Sequence, residues 1–331
     1  MSAETAHGGA SSLPRNLDGI TNVVALYNPV STHAEASTLL IDRLSRTVAH
    51  YDLTVSSYET SPDQVENDDM VRELAKPGET IVAIAGGDGT ISGIGNALLR
   101  TKVDDPVLVL PCGNANDIAA QIYGSQDELY HPSTLVTGET RRVHPLALTV
   151  TPEGGSVPHI DRFAIAYAGI GAAGLTAHRV NQADFRASSM HGYAIGKWHW
   201  GTSVLEKAVA AQALVNSRYF VDTIQDEKLT ELMFANGDRM AKDFQLDADL
   251  FKATQRLYRA AGNLSRLKLL VGLLRGSAHS EPLARHDYHL RFPTKTFLHI
   301  DGEDYPLHGY YKVSVRRADQ SLQMLTSDTV H

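Results

Sequence analysis

Residues 80–87, TIVAIAGG, form an apolar run that breaks abruptly into Asp88-Gly89-Thr90 before a helical pattern resumes. A strand apolar on both faces belongs inside a parallel sheet, because the alternation of a half-buried strand is lost only when helices cover both sides. The neighbouring segments repeat the rhythm. Residues 23–27 read as a strand, and residues 35–50 as a helix with Leu40, Leu44 and Val48 spaced by four. Residues 53–59 give a second strand, residues 63–78 a helix stopped by Pro77-Gly78, and residues 106–111 a fourth strand. Strands separated by helices imply right-handed crossovers and a ligand site beyond the strands' carboxyl ends.

After about residue 141 the rhythm changes. HPLALTV, TPEGGSVPH and DRFAIAYAG (144–169) read as a hairpin, a helical aromatic-rich region spans 174–214, and later strands are expected at 219–224, 228–236, 288–292 and 296–300. With 331 residues and 43% hydrophobic content the chain has room for two domains. A formal charge of −8 without a dense basic run excludes a generic nucleic-acid surface. The one cysteine, Cys112, excludes an internal disulfide and a cysteine-based zinc site, so a reducing, cytoplasmic setting is expected. Residues 1–20 lack the pattern of a secretory signal and read as a loose tail. No apolar run approaches the ~20 residues of a membrane span, which limits membrane contact to the periphery.

Glycines around the end of strand 80–87 allow an anion to approach backbone N–H groups at a helix N-terminus. Asp88 would face a nucleotide hydroxyl or, through water, Mg²⁺. The bland alternative is a plain strand-to-helix turn. Two more polar loops follow neighbouring strands: Asn28-Pro29-Val30-Ser31, and residues 111–117, PCGNAND, where Asn116 or Asp117 could also cap the next helix. Three such loops on one rim make a site.

These motifs resemble the diacylglycerol kinase catalytic-domain family, which includes soluble bacterial diacylglycerol kinases and sphingosine and ceramide kinases. The likeness runs through Asn28–Ser31, GGDGT (86–90), PCGNAND (111–117), AGIG (168–171), LLRG (273–276) and DGE (301–303). GGDG also occurs in NAD kinases and 6-phosphofructokinases; the long β-rich second half favours the lipid-kinase branch. The resemblance implies an α/β fold: an N-terminal parallel-sheet nucleotide-binding domain, NAD-kinase-like and lipid-kinase-like, with a second β-rich sandwich-like domain. Its expected bounds are 21–141 plus a C-terminal return over about 308–331, and 142–307 for the lipid-acceptor domain. By the same resemblance, ATP would be bound by Asn28, Pro29, Ser31, Thr60, Gly86, Gly87, Asp88, Gly89, Thr90, Ser92, Gly113, Asn114, Asn116 and Asp117. Asp301 and Glu303 would be the catalytic acids, Glu303 as the base. On a strand, residues two apart share a side, whereas the intervening glycine could equally mark a tight turn. Asp247, with the carbonyls of Phe244 and Asp249, would hold a structural Mg²⁺.

The chain departs from the family pattern after GGDGT, where Ile91, Ser92 and Gly93 replace a hydrophobic-Asn-Glu run, and after AGIG, where Ala172 and Ala173 stand near an expected acid. The expected partners are a lipid alcohol, a peripheral membrane surface and, for assembly, a homodimer. Alternatives are a kinase of a soluble alcohol such as NAD and a catalytically silent nucleotide- or lipid-binding protein. His191, His199, Tyr193, Trp198 and Trp200 read as groove or core packing rather than a zinc site. In LSRLKLLVGLLRGS (264–277), Arg266, Lys268 and Arg275 accompany seven apolar residues, a composition suited to an interfacial helix, although covering a core is the favoured reading.

Overall fold

The computed structural model describes residues 17–31, 34–113, 115–124, 139–181, 218–241, 244–252 and 254–326. The described residues of Met1–Cys112, Ile122–Arg142 and Leu322–His331 form one unit; those of Gly113–Gln121 and Val143–Ser321 form another. In chain order the first elements are β1 (Asn22–Tyr27), α1 (Ala34–Val48), β2 (Thr54–Glu59), α2 (Gln64–Leu74), β3 (Thr80–Gly86), α3 (Asp88–Thr101), β4 (Pro106–Pro111), α4 (Asp117–Tyr123) and β5 (Glu139–Val143). Then come β6 (Leu146–Pro152), β7 (Ile160–Ala164), β8 (Tyr167–Gly171), β9 (Phe220–Asp222), β10 (Glu227–Leu229), β11 (Glu231–Ala235), β12 (Arg239–Met240) and β13 (Phe244–Gln245). The chain continues through β14 (Arg256–Ala260), β15 (Glu281–Pro282), β16 (Asp287–Ile300), β17 (Glu303–Arg317) and β18 (Leu322–Thr326). Two further helices are Ala172–Asn181 and Gly262–Leu274.

The first unit is built on a sheet of order β2-β1-β3-β4-β18-β5, in which β1 pairs in parallel with β2 and β3, and β4 with β3 and β18. Every residue of β3 is buried, as its unbroken apolar run requires. One face carries Val23, Ala25, Ile81 and Ala83 in a core with Leu40, Ile41, Leu44 and Val48 of α1. By the two-residue period of a strand, the buried Val24, Leu26, Val82 and Ile84 lie on the other face. Asp63 caps α2, its carboxylate accepting from Val65 N at 2.7 Å. The order 2-1-3-4 sends the chain one way from β1 and back past it to β3, so the topological switch point lies between β1 and β3.

The second unit carries a ten-stranded sheet whose main path is β15-β14-β11-β8-β16-β17-β6-β7, with β9 joined to β16. The pairs along it are antiparallel. Residues 288–292 and 296–300, expected as two strands, are one strand, β16, whose pairing with β17 shifts register between Phe292 and Thr296. Before the shift Tyr288, Leu290 and Phe292 alternate inward; after it, residues 297–300 are all buried. In the sheet β11 is separated from β16 by β8, yet Phe234 of β11 meets Tyr288 at 5.4 Å between ring centroids. The two limbs therefore fold face to face around one core, in the manner of a sandwich.

Residues 161–169 do not form the single strand expected. The chain bends at Ile165-Ala166 between β7 and β8 because a carboxylate, described below, binds the backbone there. The long strand β17 was not anticipated at all: Pro306, Gly309 and charged residues interrupt its apolar alternation. Of the expected helical region 174–214, the described part belongs to helix Ala172–Asn181; the rest, with His191, Tyr193, Trp198, His199 and Trp200, lies outside the described residues. Among the described residues no helix is long and apolar enough to cross a membrane.

Phe292, 1% exposed, packs on Phe220 and Tyr311 at the fold of the sheet. Phe292→Ala is expected to lower stability by about 3–5 kcal/mol in urea unfolding, through lost burial and the cavity left behind. An unchanged midpoint would refute the place of Phe292 in this core.

Candidate active site

The strands of the first unit end level with one another: Tyr27 lies opposite Ala85, and Gly86 opposite Pro111. The loops after β1 and β3 therefore leave the sheet side by side at its switch point, where open α/β sheets bind ligands. Asn28 folds the first loop back, its Oδ1 accepting from Val30 N at 3.0 Å and its carbonyl from Ser31 N at 3.3 Å. Ser31 Oγ is buried and has no hydrogen-bond partner among the described residues. A buried hydroxyl left unpaired costs about 1–3 kcal/mol, so a water or ligand that completes it is favoured. Thr60, just past β2, donates its N–H to Tyr27 O at 2.8 Å and joins the same rim.

The glycine turn has a packing cause on one side and open space on the other. A Cβ on Gly86 would lie 2.5 Å from Thr90 Cβ, whereas one on Gly89 would meet nothing within 4 Å. Gly87 begins α3 in extended backbone with no side-chain cap, and Ile91 N bonds its carbonyl at 3.0 Å. The positive end of the helix dipole thus faces a rim without bulk, an arrangement that accepts phosphate. Asp88 opens α3 and is half-buried. Ser92, 4% exposed, lies one turn further inside the helix, and its carbonyl accepts from Asn96 Nδ2 at 2.9 Å.

The polar residues after β4 are held within the second unit. Asn116, at φ 54°, closes a turn on Gly113: Oδ1 accepts from Gly113 N at 2.7 Å and Nδ2 donates to Gly113 O at 2.9 Å. Asp117 is fully buried and accepts from Ala241 N and from the Tyr167 hydroxyl at 3.3 Å. Their carboxamide and carboxylate thus fasten loops, where helix capping was the alternative expected. Asn114 lies outside the described residues.

Asp301-Gly302 is the two-residue turn joining β16 and β17, with φ 43° and 102°, and Ile300 pairs with Glu303 across it. Positive φ at both positions suits Asp-Gly. The two acids therefore do not alternate along one strand. Asp301 is 0% exposed, and its carboxylate accepts the N–H groups of Ile165, Ala166 (3.0 Å) and Tyr167 (2.9 Å). Glu303 retains partial exposure and accepts from the Tyr305 hydroxyl, whose oxygen accepts in turn from Arg162 Nε at 3.1 Å. Burial, then the neighbouring Glu303 carboxylate, push the Tyr305 phenol well above its usual range, so it stays a donor. Gly302 N donates to His299 Nε2 at 2.7 Å, and burial holds that imidazole near a pKa of about 4, neutral. His178 Nδ1 meets Asp304 Oδ2 at 2.8 Å and stacks on Phe297 at 3.7 Å. Of the two expected catalytic acids, Asp301 shapes the turn, and Glu303 is the one that keeps partial exposure.

Sequence reading passed over Glu231. Its carboxylate accepts from Ala172 N at 2.7 Å and Ala173 N at 3.0 Å, at the start of helix Ala172–Asn181. The acid missing from positions 172–173 is thus replaced by one from β11. The signal was a lone acid at the head of the buried strand ELMFA. Burial raises its carboxyl to about 7, against the pull of the two N–H groups and of Arg266.

Asp247, expected to hold a cation, instead lies 3.1 Å from the Arg256 guanidinium and accepts from the Ser280 hydroxyl at 2.9 Å. Asp249 is engaged by Lys252 and by the N–H groups of Phe251 and Lys252. Among the described residues no three His, Cys, Asp or Glu side chains gather to hold a metal. The residues around Asp247 do not fit a divalent cation as arranged, and no chemistry is assigned to one there.

Two substitutions test this frame. Asp301→Asn, which places an amide before three N–H donors, is expected to cost about 2–3 kcal/mol in denaturant unfolding; no loss would show that the carboxylate does not hold the bend. For Glu231 the folded pKa lies above the unfolded value, so the native state binds the extra proton and stability falls as pH rises from about 4.5 to about 7. Glu231→Gln should therefore gain on the parent chain across that window, by on the order of 2 kcal/mol. Parallel stability-versus-pH curves for the two proteins would contradict it.

Comparison with known proteins agrees with these features. Residues 22–148 match the diacylglycerol kinase catalytic domain. Among solved structures, a candidate diacylglycerol kinase from Bacillus anthracis str. Sterne superposes with TM-score 0.62 at 12% identity, covering 95% of this chain and 99% of its own. A diacylglycerol kinase crystal structure from the same organism gives TM-score 0.57 at 14% identity, covering 94% and 98%. No curated protein sequence matches. Over residues 22–148, then, the chain carries the diacylglycerol kinase catalytic-domain signature, on a two-part fold shared with the Bacillus anthracis structures.

Proposed function

We propose that the chain is an ATP-dependent lipid kinase, transferring the γ-phosphoryl group to the hydroxyl of a lipid alcohol such as diacylglycerol or a sphingoid base. The observation that carries this reading is a bulk-free glycine turn at the switch point of a parallel sheet, inside the stretch that matches the diacylglycerol kinase catalytic domain. In this reading the turn 86–90 takes the phosphates on its N–H groups, and Asn28, Pro29, Ser31 and Thr60 line the nucleotide, with Ser31 Oγ gaining its missing partner. Mg²⁺ bound with the nucleotide supplies charge neutralisation, and Asp88 is the residue that would hold it through water.

Phosphoryl transfer needs little covalent chemistry from the protein beyond positioning and a proton acceptor. Glu303 takes the hydroxyl proton of the acceptor as the new O–P bond forms and ADP leaves; Tyr305 and Arg162 fix the carboxylate's orientation. The enzyme works at a cytoplasmic membrane face, where its acceptor resides. The departure at Gly93, whose Cβ would meet nothing within 4 Å, favours a second reading as a silent nucleotide-binding homologue.

Transfer of labelled γ-phosphate from ATP to a mixed panel of lipid alcohols, with product identification, decides between them. Glu303→Gln is expected to cut turnover by roughly 10²- to 10⁴-fold while leaving nucleotide binding intact. Undiminished turnover would remove Glu303 from the mechanism; Mg·ATP binding with no transfer to any acceptor would favour the silent homologue.

A further inference from the structure

Helix Gly262–Leu274 has two apolar faces. Arg266, Leu269, Gly272 and Leu273 are buried beneath it. On the opposite side Leu264, Leu267, Val271 and Leu274 are 68%, 55%, 38% and 50% exposed. Their spacing of three, four and three places them in one stripe along the helix. Scattered exposed leucines need no explanation, but four aligned on one helix form a patch that marks an interaction surface.

The polar residues say what covers it. Residues 260–280 contain no Asp or Glu, in a chain that carries 38. Lys268 falls on the helical wheel at one edge of the stripe, and Arg275 follows the helix at its C-terminal end; both are exposed and no carboxylate pairs with either among the described residues. Unpaired cations beside an apolar stripe suit a surface that is apolar within and anionic at its boundary. A second copy of the chain fits poorly: a two-fold contact through this stripe would bring Lys268 and Arg275 of both copies together with no acid on the helix to receive them.

We propose that helix Gly262–Leu274 is a membrane-docking element that lies in the plane of an anionic bilayer, burying Leu264, Leu267, Val271 and Leu274 among the acyl chains while Lys268 and Arg275 meet the headgroup phosphates. Its buried face stays on the second unit, where Arg266 interacts with the Glu231 carboxylate of β11. None of these residues is among those assigned to nucleotide binding or proton transfer. Docking is read without nucleotide or turnover, so it stands or falls apart from the kinase reading.

The test is co-flotation of the full chain with vesicles of phosphatidylcholine alone and of phosphatidylcholine with phosphatidylglycerol in equal parts. The chain should float with the mixed vesicles, less so with neutral ones, and binding should weaken with salt. Leu267→Ser/Val271→Ser and Lys268→Glu/Arg275→Glu should each lower the partition coefficient by about tenfold or more. Phosphoryl transfer to a detergent-dispersed acceptor should be unchanged in both variants. Equal partition of parent and variants, or no flotation of the parent chain, would overturn the proposal. So would a dimer in sedimentation equilibrium that Leu267→Ser/Val271→Ser dissociates. If a variant unfolds early, an environment-sensitive fluorophore on Leu267→Cys gives a second readout, since Cys112 is buried. A blue shift on adding mixed vesicles supports docking, and an unmoved spectrum rejects it.

Discussion

The carboxylate of Asp301 is the interaction on which the second unit turns. At Ile165-Ala166 the chain leaves one strand and enters the next, so its N–H groups have no ladder partner, and a buried N–H without an acceptor is not tolerated. Asp301 supplies acceptors for three of them in succession. The same residue adopts the positive φ that lets β16 reverse into β17 within two residues. One side chain thus fixes where β7 ends, where β8 begins and where Glu303 emerges. A carboxylate at 0% exposure is thus engaged by three backbone N–H groups in a row.

In the first unit the constraint is topological. Returning past β1 from β2 to β3 leaves two loops leaving the sheet side by side, and the sequence places glycines and small polar residues in both. Gly86 is required by its own helix, because Thr90 occupies the space of a Cβ; at Gly89 no packing neighbour requires glycine. The unpaired Ser31 Oγ lies in the neighbouring loop. Internal packing accounts for one part of the motif, and the proposed phosphate contact would account for the other.

The parallel sheet was legible because nothing else explains consecutive apolar runs such as TIVAIAG and PVLVLP at helical separations. The turn at Asp301-Gly302 was legible as a tight-turn alternative, since Asp-Gly favours that geometry. What escaped the sequence was long-range pairing. Glu231 lies 59 residues from the N–H groups it accepts, and Asp301 some 135 from its own. No local period encodes such partners. Strand β17 escaped for another reason: with one face toward solvent and a proline and glycine inside, its pattern carries too few inward apolar residues to stand out, and its long pairing with β16 supplies what propensity does not. Helix Gly262–Leu274 shows the converse failure, since seven apolar residues read as core cover while four of them face outward.

Buried acids recur around β8. Asp301 binds the bend before it, Glu231 the helix start after it, and Asp117 the hydroxyl of Tyr167 at its first residue. A strand bounded by bends at both ends exposes more unpaired N–H groups than a strand that runs on, and short carboxylates reach them where a ladder cannot. Glu231 has Arg266 nearby and yet titrates near about 7, because burial outweighs the attraction. His299, next to the Asp301 turn, stays neutral because burial outweighs the pull of Asp304, and its Nε2 accepts Gly302 N. Since β8 pairs directly with the end of β16, Ile170 with Leu298 and Ala168 with Ile300, the position of Glu303 is referenced to the same strand that these acids brace. In the proposed mechanism Glu303 is the proton acceptor; such a group must be held within a fraction of an ångström to work, and a frame of charge-assisted backbone bonds adds stiffness to packing. That stiffness explains why so many ionisable groups are buried where hydrophobic residues would be less costly to desolvate.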